Sequence, residues 1–272
     1  MRINTNINAM TALNQSTKNT ALAGASMGKL SSGLRINQAG DDAAGLAISE
    51  KMRAQIRGME QADRNVQDGI SLVQTAEGAL EEAGNIVQRM RELTVQGAND
   101  TLSQEDKDKI VTELTELQEE ITQISTETKF NGTSLLDGTT TTIKIQAGAN
   151  SETRELTMAN LSSVASELTV TLNSTSNGDT FRTFIENKID KQLEVINKSR
   201  ATVGAEQNRL EATSSNLTAT TENLTAAESR IRDVDVAKEM MNLSKLNLLN
   251  QASQAMMMQA KSQPEGVMQL LR

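Results

Sequence analysis

Four side-chain types are missing from this chain: histidine, cysteine, tryptophan and tyrosine. Without His or Cys there is no Ser-His-Asp or Cys-His nucleophile, no imidazole or thiolate ligand for zinc, and no disulfide. An enzyme would have to work with carboxylates, Lys, Arg, Ser and Thr alone. The adjacent acids Asp41-Asp42, Glu81-Glu82 and Glu119-Glu120 do not supply a catalytic pair. Neighbours on a helix point about 100° apart, so neither member converges on the other. No enzyme activity, metal or cofactor is expected.

Rings are nearly absent too, with Phe130, Phe181 and Phe184 the only three. Apolar residues make up 37 % of the 272, too few for a thick globular core. A thin, elongated helical seam needs less apolar mass. The single proline, Pro264, leaves almost the whole chain free to be helical. No apolar run of about 18 residues exists, so no membrane span or membrane partner is expected. The opening MRINTNINAM lacks the continuous apolar stretch of a cleavable signal.

The net charge of −8 is unevenly spread. Residues 1–40 carry Arg2, Lys18, Lys29 and Arg35 and no acid. Residues 236–272 carry four bases against Glu239 and Glu265. The body between them is therefore strongly acidic. The positive charges are scattered and lack interleaved aromatics, which argues against nucleic acid as a partner.

What the chain does have is a seven-residue apolar repeat in each half. Met52, Met59, Val66, Val73, Leu80 and Val87 form the first stripe, and Ile196, Val203, Leu210, Leu217, Leu224 and Ile231 the second. A strict period of seven keeps to one side of a helix and favours a left-handed supercoil with another helix. As helix each stripe is part of an element about 70 to 80 Å long. The predicted seam is Met59, Val66, Val73, Leu80 and Val87 against Val203, Leu210, Leu217 and Leu224. In the second stripe the positions three and four residues on are polar apart from Ala227, among them Ser199, Glu206 and Thr213. That helix therefore reads as half-finished, a surface completed by other copies.

Other segments fill in the plan. Ile3, Ile7, Met10 and Leu13 give residues 1–34 an amphipathic helix with a narrow apolar face. Gly33, Gly40 and Asp41-Asp42 mark a bend near 34–42, and a long helix then runs from about 43 to 98. Ser103, three residues before Asp106, starts a third helix, in which Ile110, Leu114, Leu117, Ile121 and Ile124 alternate spacings of four and three. Asn131-Gly132, Asp137-Gly138 and Asn177-Gly178 are turn signals. Between them Thr140–Gln146, Arg154–Met158 and Leu168–Leu172 are expected as short strands. From Thr180 a helix returns to about 233. The segment 236–272 is helical again, with Met240, Met241, Leu243, Leu246, Leu249 and Met256, and methionine suits irregular interfaces.

The predicted fold is thus mainly α: a long antiparallel, coiled-coil-like helical rod formed from both halves of the chain, with a small β subdomain at its tip. The expected domains are 1–42 with 236–272, a terminal helical pair; 43–129 with 180–235, the rod; and 130–179, the small β subdomain.

Three stretches carry a family resemblance. SSGLRINQAGDDAAGLAISEKMRAQIRG at 31–58, FNGTSLLDG at 130–138 and NLTAAESRIRDVDVAKEM at 223–240 strongly resemble bacterial flagellin, as do the first ten and last 22 residues. The middle resembles nothing in particular and is short for the family, so large outer domains are missing or reduced.

The resemblance implies a secreted subunit that homopolymerises into the extracellular flagellar filament for swimming. It implies terminal helices that are disordered in the monomer and order on assembly. The interface is then expected at Ile3, Ile7, Met10, Leu13, Leu246, Leu249 and Met256. A secretion chaperone on the C-terminal tail, hook-associated and cap proteins, and export by the flagellar type III route are also implied. IVQRMRELTVQ at 86–96 looks like the flagellin segment bound by the vertebrate Toll-like receptor 5, which assigns receptor contacts to Arg89, Leu93 and Glu113. Two other readings stay open at the level of sequence. A hook–filament junction protein resembles flagellin at both ends, and an unrelated secreted coiled-coil tip protein would share the rod but not the motifs.

Overall fold

The computed structural model describes residues 6–172 and 178–270, with side chains as far as Ser262. Ile3 lies outside the described residues. The chain is mainly helical, with two small antiparallel sheets of two strands each among the described residues. In order come α1 (Ile7–Ser32), α2 (Ala43–Gly97), α3 (Gln104–Glu127), β1 (Lys129–Phe130), β2 (Thr133–Ser134), β3 (Thr142–Gln146), β4 (Thr153–Thr157), α4 (Leu161–Glu167), α5 (Gly178–Phe184), α6 (Asp190–Arg232) and α7 (Val236–Leu270).

The starts and stops follow local chemistry. The side chain of Asn6 accepts from the Ala9 N–H to cap α1, and Gly33 ends that helix at φ 72°, a left-handed conformation that costs glycine least. Ser103 caps α3 through the Asp106 N–H, and its own hydroxyl donates to the Asp106 carboxylate at 2.7 Å. Asn131 and Gly132 take φ 49° and 81°, the pair of positive values that a two-residue hairpin between β1 and β2 needs.

The chain divides into two compact units, one of residues 1–55 and 222–272, the other of residues 56–221. The division passes through α2 and α6 rather than at residues 42 and 236.

In the 56–221 unit, α2 and α6 run antiparallel. Asp63 accepts from the Ser214 hydroxyl at 2.6 Å, Glu81 pairs with Arg200 at 3.8 Å, and Arg91 pairs with Asp190 at 2.8 Å, so numbers fall on α6 as they rise on α2. Between them lies a dry core. Val66, Val73, Leu80 and Val87 from α2 and Val203, Leu210 and Leu217 from α6 are buried there with Ile110, Leu114 and Ile121 of α3. Met59 packs half-buried against the same core, and Leu224 is half-buried in the other unit. Burial at about 25 cal/mol per Å² is the main stabilising term for such a seam.

The β3–β4 hairpin lies on this helical pair. Gly69 makes room for it, because a Cβ there would overlap the Ile145 side chain. Glu206 fixes its far end: Oε1 accepts from the Thr157 N–H at 2.8 Å.

Two expectations fail in this region. Leu168–Leu172 is not a strand. Leu168 closes α4, whose Leu161, Val164, Ala165 and Leu168 follow helical spacing and are all buried. Their apolar side is one helix stripe, which the Thr-rich surroundings disguise. The returning helix is also not continuous. A π-helical turn over Ile185–Ile189 separates α5 from α6, with the Asp190 N–H bonded to the Ile185 carbonyl. The extra residue in that turn keeps Phe181, Ile185, Ile189 and Ile196 all buried.

Candidate functional site

The 1–55 and 222–272 unit is built on a different principle. Here α1 and α7 pair along their length, and the residues between them are mostly small or polar, with Leu30, Leu243, Leu246 and Met257 among them. On α1 the inner positions are Ala9, Ala12, Ser16, Asn19, Ala23, Ser26 and Leu30, alternating steps of three and four. On α7 they are Glu239, Leu243, Leu246, Asn250, Ser253, Met257 and Ala260, with the same steps. Small residues let the two backbones approach, and polar ones then bond across the gap. Asn6 donates to the Ala260 carbonyl at 2.6 Å and Ser16 to Asn250 at 2.9 Å. Asn250 donates to Thr20 at 3.0 Å, Asn19 bonds Ser253 at 3.4 Å, and Ser26 donates to Glu239.

Most of the large apolar side chains of the pair are therefore on the outside. Ile7, Met10, Leu13 and Leu22 of α1 are exposed, as are Met240, Met241, Leu248, Leu249, Met256 and Met258 of α7. Of the residues singled out in the sequence, Ile7, Met10, Leu13, Leu249 and Met256 stand on this outer surface, whereas Leu246 is buried in the seam. Met240, Met241, Leu248 and Leu249 form a continuous apolar strip along α7. Exposed apolar surface on this scale marks a contact site.

The turn between α1 and α2 is ordered by bonds to the end of α6. The Arg35 N–H reaches the Arg232 carbonyl at 2.6 Å and the Val234 N–H the Gly33 carbonyl at 3.0 Å. Arg232 also holds Glu50 at 2.6 Å. Asp41 accepts from the backbone N–H groups of Gln38 and Asn37, both at 3.1 Å, and these bonds hold its carboxyl below the ordinary value.

In the other unit Arg89 and Glu113 bond across α2 and α3 at 3.1 Å, and Arg89 also reaches Glu92 at 3.2 Å. The Glu113 carboxylate, then that of Glu92, pushes the Arg89 guanidinium above its ordinary value. Both members of the Arg89–Glu113 pair are about half exposed, while Leu93 is 3 % exposed and part of the core. Among the described residues no three acids are placed to hold a metal ion, and no helix is long and apolar enough to cross a membrane.

Comparison with known proteins settles what this arrangement belongs to. Residues 3–141 match the bacterial flagellin N-terminal helical region and residues 187–271 the bacterial flagellin C-terminal helical region. The chain belongs to the bacterial flagellin family. The flagellin of Halalkalibacterium halodurans is 52 % identical over 280 residues, covering all of both chains, so that relative is a short form as well. The flagellin of Bacillus subtilis is 48 % identical over the whole of both chains. The crystal structure of Bacillus cereus flagellin, 38 % identical, superposes with a TM-score of 0.50 over 61 % of this chain and 94 % of that one. The chain is a structural subunit of the bacterial flagellar filament and not an enzyme.

Sequence reasoning missed the α1–α7 seam itself. A search for large apolar residues finds Ile7, Met10 and Leu13, which the structure turns outward. The signal that would have found the seam is the same period of seven carried by Ala9, Ser16 and Ala23 and by Ala12, Asn19 and Ser26. Glu206 was equally hidden, since a single acid beside an apolar stripe reads as solvated surface.

Proposed function

We propose that filament subunits meet through the outer face of the α1–α7 pair. One observation carries this reading: the pair's own seam is mostly small and polar, and Ile7, Met10, Leu13, Leu249 and Met256 are left exposed. Such a pair buries little apolar surface by itself, so it orders fully when neighbouring copies cover that face. Contacts that join different faces of successive copies do not close, and they propagate a helical filament. Leu246 acts indirectly, by holding α7 against α1.

The test is truncation. Deleting residues 1–20 or 253–272 is expected to leave the 56–221 unit folded and soluble while seeded polymerisation stops. Long filaments from either truncated chain would remove the terminal helices from the interface.

The finer partners follow from the same surface. Before assembly the exposed face of α7 suits a secretion chaperone that takes an amphipathic helix into a groove. Export through the flagellar apparatus, and capture at the growing end by hook-associated and cap proteins, place the subunit outside the cell. Recognition by Toll-like receptor 5 falls on the exposed Arg89–Glu113 pair, with buried Leu93 supporting α2 from beneath.

A further inference from the structure

Among the described residues the strongly exposed methionines all fall in one of the two units, where Met52 and Met257 are half-buried. In the 56–221 unit Met90 and Met158 are buried, at 0 % and 7 %, and Met59 is half-buried. In the other unit Met10, Met27, Met240, Met241, Met256 and Met258 are all between 50 % and 68 % exposed. Every strongly exposed methionine among the described residues therefore lies on α1 or α7. Leucine would bury as well there, and Leu248 and Leu249 do share the face. Methionine adds an adaptable side chain and also an oxidisable sulfur.

We propose that these methionines are modification sites for peroxide-class oxidants, and that their oxidation in the free subunit blocks its addition to a filament. The inference rests on the assembly reading above. The thioether sulfur attacks one oxygen of hydrogen peroxide; an S–O bond forms and the O–O bond breaks. The proton on the new S–OH group passes to the departing hydroxide, which leaves as water. Sulfur is oxidised by two electrons and peroxide is reduced by two. The product, a sulfoxide, is polar and carries a strong hydrogen-bond acceptor. On a face that must be covered by another subunit, that oxygen has to be buried without a partner. Inside a filament the same sulfurs are covered, so the assembled polymer resists the oxidant that disables its monomer.

The experiment treats the full-length monomer with hydrogen peroxide, locates sulfoxides by peptide mass spectrometry, removes the peroxide and adds filament seeds. Oxidation is expected at Met240, Met241, Met256 and Met258 before Met90 or Met158, with elongation slowed about tenfold or more. A chain carrying Met240→Leu, Met241→Leu, Met256→Leu and Met258→Leu should elongate after the same treatment. Should those substitutions themselves impair elongation, reduction of the oxidised natural chain by sulfoxide reductases for both epimers takes their place, and recovery is expected. Oxidised monomers that elongate at the untreated rate, a Leu variant inhibited as strongly as the natural chain, or inhibition that survives reduction would each overturn the proposal. Oxidising finished filaments separates the two readings. Tail methionines that react as fast in filaments as in monomers would sink the assembly surface itself. Protection in filaments with normal elongation of oxidised monomers would sink only the oxidation block.

Discussion

The two units of this chain solve the same problem, the pairing of two antiparallel helices, in opposite ways. In the 56–221 unit, large β-branched and leucine side chains meet in a dry seam, and the outer faces carry charge. In the terminal unit, alanine, serine and asparagine make up most of the α1–α7 seam, with a few leucines, and most of the large apolar groups of that pair face out. The first arrangement gains its burial within one molecule. On the assembly reading proposed above, the second gains it from neighbours. On that reading the subunit has one part that folds unaided and one part that waits for its neighbours.

The sharpest way to break this comparison is to put the same charge into each unit. Leu210 is 1 % exposed in the dry seam, so Leu210→Asp buries an unpaired carboxylate. The expected loss is about 4 kcal/mol, which lowers the Tm of a unit of this size by about 10 °C. Met256 is 65 % exposed, so Met256→Asp should change monomer unfolding by less than about 0.5 kcal/mol. In seeded polymerisation the ranking should reverse at the permissive temperature, with the Met256 variant failing outright. Equal thermal unfolding of the two variants would show that the units do not differ as described.

Glu206 sets the next largest effect. It is an acid only 6 % exposed, on the helix whose stripe the sequence made look half-finished. Its Oε1 holds the Thr157 N–H, while Oε2 has no partner among the described residues. Glu206→Ala removes a charge-assisted bond and strands an N–H at the end of β4, for an expected cost of about 1–3 kcal/mol in urea unfolding. Glu206→Gln keeps an acceptor for Thr157 and should cost less. A larger loss for Gln than for Ala would mean that the unpartnered oxygen, not the bonded one, is what holds the hairpin.

What could be read from the sequence follows from these contrasts. Val66, Val73, Leu80, Val203 and Leu210 announce their seam because large apolar groups at period seven suit a packed helix pair and little else. Asn131-Gly132 announces its hairpin because few other residue pairs tolerate two positive φ values. The fold class was legible for these reasons. The candidate surface was legible only as a set of residues: Ile7, Met10, Leu13, Leu249 and Met256 stood out as apolar, but whether they faced α7, α1 or a neighbour depended on the seam of Ala, Ser and Asn between the helices. Such residues appear in any loop or helix surface, so their period carries little signal. The short α4 and the π-helical turn were hidden for another reason. One turn or two of helix contains too few residues to establish a period against a Thr-rich background.

The smallest expected effect tests where the waiting part begins. Asp106 and Asp137 in the 56–221 unit have carboxyls below the ordinary value, Asp106 chiefly through the Ser103 hydroxyl and Asp137 through the Thr139 hydroxyl. Asp41 in the terminal unit is also lowered, by the Gln38 and then the Asn37 backbone N–H. Each carboxylate favours the folded form while ionised. Its contribution is complete above the ordinary carboxylate value and disappears as pH falls through the lowered one. NMR titration of the free monomer should therefore give midpoints below the usual Asp value for Asp106 and Asp137, because their caps depend only on local turns in the self-sufficient unit. Asp41 is the informative group. A midpoint as low as theirs means that the turn over residues 33–42 is already formed in solution, and the waiting part is confined to α1 and α7. An ordinary midpoint moves the boundary to include that turn, and makes its bonds to Arg232 and Val234 products of assembly.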